Sequence, residues 1–317
     1  MRSKEDEGVK IGVSLGTSSV LGLTENSVCV KPSTAYLIMH GKCQGKCAFC
    51  YWNKGNKLSR VRWPSFPMSE VIDRIKKKQN EFRRICIQTI LKDGFEEELI
   101  RISSKFSNLG LPLSVSTQPL RDKEVYSYLD RISIPLDCAT PELFSRLKGE
   151  GVGNPFRWED HIRALKESVK EMGEFRVHTN LIVGLGESEL DAIEFIFLMK
   201  KMGVNVNLFA YTPMKGRKGP PITTYRKIQL ARYLIFKEEL EKSDIETREG
   251  KIILKVREVP PGAFETSGCP GCNRPFYNEG PLGPIYNYPR PLSREELREI
   301  EVDLIASGEV EINNRRS

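Results

Sequence analysis

The chain reads as an α/β protein built on a parallel sheet, and three observations predict it. Between about Thr34 and Ser243, apolar runs alternate with amphipathic segments, the order of repeated strand–helix units. Six of these runs have strand character, at 35–39, 84–90, 113–117, 131–136, 177–183 and 206–210. The segments between them repeat at helical spacing, as in Leu190, Ile193 and Phe197, and Ser69 and Ser188 stand where helix N-caps are expected. Residues 1–33 form an extension ahead of the first strand, and 34–250 carry the strand–helix repeat. From about Gly250 the composition turns to Pro, Gly, Asn and Tyr, so 251–317 reads as an irregular but not disordered C-terminal segment. The basic runs Lys76-Lys77-Lys78 and Arg83-Arg84 bracket the end of a helix and read as a solvated face.

With 317 residues and 39% hydrophobic content, the chain can bury one large core or two smaller ones. No run approaches the roughly twenty apolar residues of a membrane span. The start, Met1-Arg-Ser-Lys-Glu-Asp-Glu7, is charged and has no apolar signal core, which predicts a cytoplasmic protein. Eight cysteines in such a chain argue for reduced thiols used as ligands, not for a disulfide framework. A formal charge of +7 is modest for this length and selects no partner by itself.

The densest chemistry lies just after the first predicted strand, in Cys43-Gln-Gly-Lys-Cys47-Ala-Phe-Cys50. Three thiolates at this spacing can hold three irons of a [4Fe-4S] cluster and leave the fourth open to a substrate. A structural zinc site is the alternative, but tetrahedral zinc wants four ligands, normally from paired motifs. Ligand softness alone does not separate the two. The Cys-x3-Cys-x2-Cys spacing, with Phe49 before the last cysteine, resembles the radical S-adenosylmethionine (SAM) signature. That resemblance implies a partial (β/α)6 barrel and a cluster whose open iron chelates SAM. Its reduction yields a 5′-deoxyadenosyl radical that abstracts hydrogen from an unactivated carbon.

Further motifs extend the resemblance. Asn180-Leu-Ile-Val-Gly184-Leu-Gly186-Glu187 is similar to a stretch of biotin synthase that contributes to SAM binding, which implies that role for Gly184, Gly186 and Glu187. Ile132-Ser-Ile-Pro-Leu-Asp137 resembles that family's fourth strand, whose acid bonds the SAM ribose, and the role carries to Asp137; Pro135 stands where the family has Asn. Cys86 occupies the position of a cysteine that ligates biotin synthase's auxiliary [2Fe-2S] cluster, but Ser114 and His178 stand in place of the other two. Cys86 and Cys138 therefore read as buried small residues, and biotin synthesis itself is disfavoured.

A second cysteine pair occurs in Thr266-Ser-Gly-Cys269-Pro-Gly-Cys272-Asn-Arg-Pro-Phe-Tyr277. Two thiolates two residues apart on a turn can share a metal or cluster, with Cys29 as a candidate third ligand and Ser267, water or nothing as the fourth. This tail, with Tyr286-Asn-Tyr-Pro-Arg-Pro-Leu292 and Leu58-Ser-Arg-Val-Arg-Trp63, resembles the archaeal-type two-subunit lipoyl synthases. That resemblance implies sulfur insertion at C6 and C8 of an octanoyl chain on a lipoyl carrier protein or domain. It further implies a paralogous radical SAM subunit, a second Fe-S cluster of [4Fe-4S] type as sulfur donor, and a ferredoxin- or flavodoxin-type electron donor. Phe209 and Tyr211 are candidates to line an apolar channel. Another sulfur-inserting radical SAM enzyme, such as an RNA methylthiotransferase, stays open, although no RNA-binding module is visible and nucleic acid is not an expected partner. A non-catalytic iron–sulfur or zinc-binding protein is the remaining alternative.

Overall fold

The computed structural model describes residues 8–213, 218–280 and 282–313; the charged residues 1–7 lie outside them. In chain order the strands are β1 (Lys10–Val13), β2 (Thr34–Met39), β3 (Lys57–Leu58), β4 (Val61–Arg62), β5 (Ser65–Pro67), β6 (Arg84–Gln88), β7 (Leu113–Ser116), β8 (Arg131–Ser133), β9 (Val177–Val183), β10 (Val204–Ala210), β11 (Ile245–Arg248), β12 (Lys251–Val256) and β13 (Val310–Ile312). The α-helices are α1 (Leu15–Leu21), α2 (Met68–Lys77), α3 (Phe95–Ser107), α4 (Pro141–Leu147), α5 (Trp158–Met172), α6 (Glu189–Lys201), α7 (Ile222–Lys237) and α8 (Arg294–Ala306).

The six predicted strands are β2, β6, β7, β8, β9 and β10, each parallel to its neighbour, in one contiguous run of an eight-stranded sheet. This is the partial (β/α)6 barrel. β1 and β5 continue it antiparallel beyond β2, so the segment expected to precede the barrel supplies a strand of the same sheet. Gly12 permits this close packing, because a Cβ there would stand 2.5 Å from Ile38 Cγ2.

Side-chain alternation explains why the barrel encloses a cavity. Leu37, Ile85, Ile87, Val115 and Ile132 point outward into the helix layer and are essentially inaccessible. The opposite parity brings Tyr36, Cys86, Ser114 and Arg131 into one register row, and Ile38, Gln88, Ser116 and Ser133 into the next. A mostly polar inner face does not close on itself.

Several local expectations change. Pro67 caps α2, which places Ser69 inside its first turn, whereas Ser188 caps α6 through a reciprocal box with Asp191. Leu190 is 44% exposed; α6 buries Ala192, Ile193, Phe195, Ile196 and Met199 instead. Arg84 is not on a solvated face, because β6 starts there and turns its side chain inward, 2.8 Å from Asp130. Nor is the C-terminal segment irregular throughout. It contains β12, β13 and α8, the last capped by Ser293 and Glu296.

Two histidines are buried without a compensating acid. His161 packs edge-on against Phe144 with ring centroids 4.9 Å apart, and His178 Nδ1 lies 3.1 Å from Asn207 Oδ1. Burial pushes His178 down to about 3 and His161 well below the ordinary value. Below pH ~6.5 the unfolded chain takes up protons that the folded chain refuses, so stability falls as pH falls. The expected slope is ~1.4 kcal/mol per pH unit for each histidine. Urea unfolding of the cluster-free chain between pH 7 and 5 checks it, and His161→Phe should flatten the dependence.

Candidate active site

The loop leaving β2 carries Cys43, Cys47 and Cys50 at the C-terminal end of the parallel strands, where barrels of this type collect their chemistry. Asn53 clamps its first cysteine: the Cys43 N–H donates to Asn53 Oδ1 at 3.0 Å, and Asn53 Nδ2 donates to the Cys43 carbonyl at 2.7 Å. Asn154 accepts from the Lys46 N–H at 2.9 Å, and the Ala48 N–H donates to Leu147 O at 2.8 Å. Gly149-Glu-Gly-Val-Gly153 ahead of Asn154 is the one sequence signal for this support.

Each of the three sulfurs faces one N–H donor. Gly45 N–H approaches Cys43 Sγ at 3.3 Å, Asn154 Nδ2 approaches Cys47 Sγ at 3.5 Å, and Trp52 N–H approaches Cys50 Sγ at 3.5 Å. Burial pushes the Cys50 thiol up to about 12 and raises that of Cys47, the latter opposed by Lys148. Such thiols need a metal to become thiolates, and the N–H groups then stabilise the sulfur charge. Among the described residues no three His, Cys, Asp or Glu side chains converge on one ion.

Asp137 and Phe49 line the same cavity as the three cysteines. Asp137 sits at φ +66°, bridged to β9 through its own N–H to Asn180 O at 2.9 Å. Its carboxylate receives Lys148 Nζ at 2.6 Å, and Lys148, only 4% exposed, also donates to Pro135 O. Sequence reasoning missed Lys148. Gly184, Gly186 and Glu187 form the turn after β9 but do not line the cavity. The Glu187 carboxylate accepts the Gly184 and Leu185 N–H groups at 2.5 and 2.9 Å, so the acid folds back on its own turn.

The cavity has a volume of about 630 Å³, and Cys43, Cys47, Cys50, Cys269 and Cys272 all border it. The turn bearing Cys269 and Cys272 is tied to β2, with Cys272 Sγ 2.9 Å from Tyr36 Oη and the Ser33 N–H donating to Asn273 Oδ1 at 2.9 Å. Burial raises the Cys269 thiol, opposed by Arg84. Cys29, on the exposed loop before β2, reaches the edge of the same cavity. Ser267 is committed elsewhere, accepting the Leu208 N–H at 2.7 Å. Phe209 and Tyr211 also line the space, and Tyr277 stacks edge-on with Phe209 at 5.5 Å. Cys138 is fully buried, whereas Cys86 opens onto the cavity.

Residues 37–199 match the model of the radical SAM superfamily, which is more than half of the chain, and the protein belongs to that superfamily. It is thus a radical SAM enzyme, a class that carries a [4Fe-4S] cluster and uses SAM. A biotin synthase from Leptospira biflexa serovar Patoc is 26% identical over 189 residues, covering 56% of this chain. The chain spans 52% of the length of that relative. Among solved structures, a radical SAM methyltransferase from Sphaerobacter thermophilus is 16% identical with a TM-score of 0.48, covering 65% of each chain. SuiB from Streptococcus suis, solved with SAM, is 15% identical with a TM-score of 0.47, covering 65% of this chain and 44% of its own. No described helix is long and apolar enough to cross a membrane.

Proposed function

We propose that this enzyme inserts sulfur into the octanoyl chain of an octanoyl-lysyl carrier protein, as one subunit of a two-component lipoyl synthase. The observation that carries the reading is the single cavity bordered at one side by Cys43, Cys47 and Cys50 and at another by Cys269 and Cys272. Sulfur insertion needs a hydrogen-abstracting centre and a sulfur source within reach of one carbon chain, and two sulfur-bearing sites on one space suit that need. The segments that resemble lipoyl synthase also meet there. The Arg60 N–H donates to Tyr277 O at 3.2 Å, and Asn278 Nδ2 donates to Ser59 Oγ at 3.1 Å.

When bound, the first cluster and SAM would supply hydrogen-atom abstraction from an unactivated C–H group. Cys43, Cys47 and Cys50 would hold that cluster, while Phe49 and Asp137 would border SAM. Lys148 fixes the Asp137 carboxylate so that its outward oxygen keeps one orientation. Phe209, Tyr211 and Tyr277 offer an apolar wall to an acyl arm and keep water from the reacting carbon. Cys269 and Cys272 would hold a second cluster as the sulfur donor.

The test is anaerobic. The reconstituted protein is given SAM, a reductant and an octanoyl-lysyl carrier peptide, with and without the paralogous subunit, and the peptide is weighed. A gain of one sulfur from this chain alone, completed to two by the paralogue, is the expected result. Formation of 5′-deoxyadenosine with an unchanged peptide would reject the octanoyl substrate.

A further inference from the structure

We infer that Cys86 is the third protein ligand of the second sulfur site, so that Cys86, Cys269 and Cys272 face one cluster with Arg84 as the buried positive charge beside it. This rests on the reading of Cys269 and Cys272 as cluster ligands and adds what that reading lacks. Strand pairing sets Tyr36, Cys86 and Ser114 side by side on β2, β6 and β7. Paired residues of parallel strands point to the same face, which here is the inner one. Tyr36 Oη lies 2.9 Å from Cys272 Sγ and accepts the Arg274 N–H at 3.1 Å. The tail turn therefore sits directly over the start of this row, and Cys86 is the next residue along it. Cys86, Cys269 and Cys272 border the same space and lie within electrostatic reach of one another. A cysteine kept only for packing would point outward into the helix layer, as Ile85 and Ile87 do on either side of it.

Arg84 gives the second, independent observation. Its side chain is 5% exposed, and Nη2 donates to Asp130 at 2.8 Å, yet Nε and Nη1 have no hydrogen-bond partner. Unpartnered buried guanidinium donors are costly, and an anionic acceptor beside them would relieve that cost. A cluster held by three thiolates is anionic and rich in sulfur acceptors, and Arg84 lies within electrostatic reach of Cys269. Cys29, by contrast, is exposed on a loop outside the row.

The test removes the first site. With Cys43, Cys47 and Cys50 replaced together by alanine, the iron bound after anaerobic reconstitution reports the second site alone, and about four irons per chain are expected. Adding Cys86→Ser should bring iron and sulfide to background, whereas adding Cys29→Ser should change neither. Retained iron in the Cys86→Ser protein, or lost iron in the Cys29→Ser protein, overturns the assignment. A background protein that binds no iron overturns the second-cluster reading and this inference with it. Alkylation of the background protein gives a readout free of any folding effect of Cys86→Ser. Reconstitution should shield Cys86, Cys269 and Cys272 while Cys29 stays reactive, and a reactive Cys86 beside two shielded partners overturns the assignment. In the same background, Arg84→Gln should make the cluster harder to reduce at unchanged iron content; an unmoved potential removes Arg84 from the proposal.

Discussion

Replacing Cys50 by alanine is expected to abolish reductive SAM cleavage and to empty the first cluster site. Only three thiols are available in the loop after β2, and each already has its single N–H donor, so no spare ligand stands by. The loss should exceed the ~10–100-fold that removal of a supporting partner costs a metal site. Asn154→Ala supplies that comparison. It deletes the donor to Cys47 Sγ and the acceptor of the Lys46 N–H while leaving all three cysteines, so its deficit should fall within that smaller range. Release of 5′-deoxyadenosine, with iron counted per chain, measures both variants. Normal cleavage by the Cys50→Ala protein would remove these cysteines from the cluster.

Lys148→Met is expected to be the most destabilising single change near the cavity, costing about 3–5 kcal/mol. The ammonium is 4% exposed and the Asp137 side chain 12%, at 2.6 Å, so deleting the lysine leaves a carboxylate that meets solvent only through the cavity. A buried pair contributes little relative to an apolar replacement of both members, but a lone buried carboxylate retains its full desolvation cost. The double variant Asp137→Asn with Lys148→Met should therefore recover much of the loss, because no charge is left stranded. Urea unfolding of the cluster-free proteins measures all three, and a single-variant loss below ~1 kcal/mol would show that water reaches the pair.

The cysteine loop and the parallel strands were legible because their signals are local: ligand spacing within eight residues and apolar runs of strand length. β1 was not, since Lys10-Ile-Gly-Val13 is too short a run to stand out until β2 is there to pair with it. Arg84 misled because it adjoins Arg83, and only the start of β6 decides that one arginine turns inward. α8 could have been read from Ser293-Arg-Glu-Glu296, a reciprocal cap hidden by the prolines before it. That Cys86 borders one cavity with Cys269 and Cys272 was not legible from spacing; the resemblance at β6 pointed to Cys86 alone, and only strand register and the path of the tail bring the three to one space. Lys148 likewise carries no motif; its role follows from where α4 ends.

The open edge of the sheet has a consequence for how the chain is completed. Among the described residues β10 ends the sheet with no strand beyond it, and side chains use its backbone groups instead. Ser267 accepts from Leu208 N–H at 2.7 Å, Arg274 donates to Leu208 O at 3.2 Å, and Arg232 donates to Val206 O at 3.0 Å. Two of these three partners belong to the segment that carries Cys269 and Cys272. During synthesis the strand thus remains a free template for pairing with other chains until residues beyond Arg274 have emerged. Truncation ahead of Ser267 should leave an aggregation-prone protein, whatever happens to its clusters. The same stitch that shields the edge also sets Cys269 and Cys272 against the cavity, so closing the sheet and placing these two thiols depend on the same few contacts.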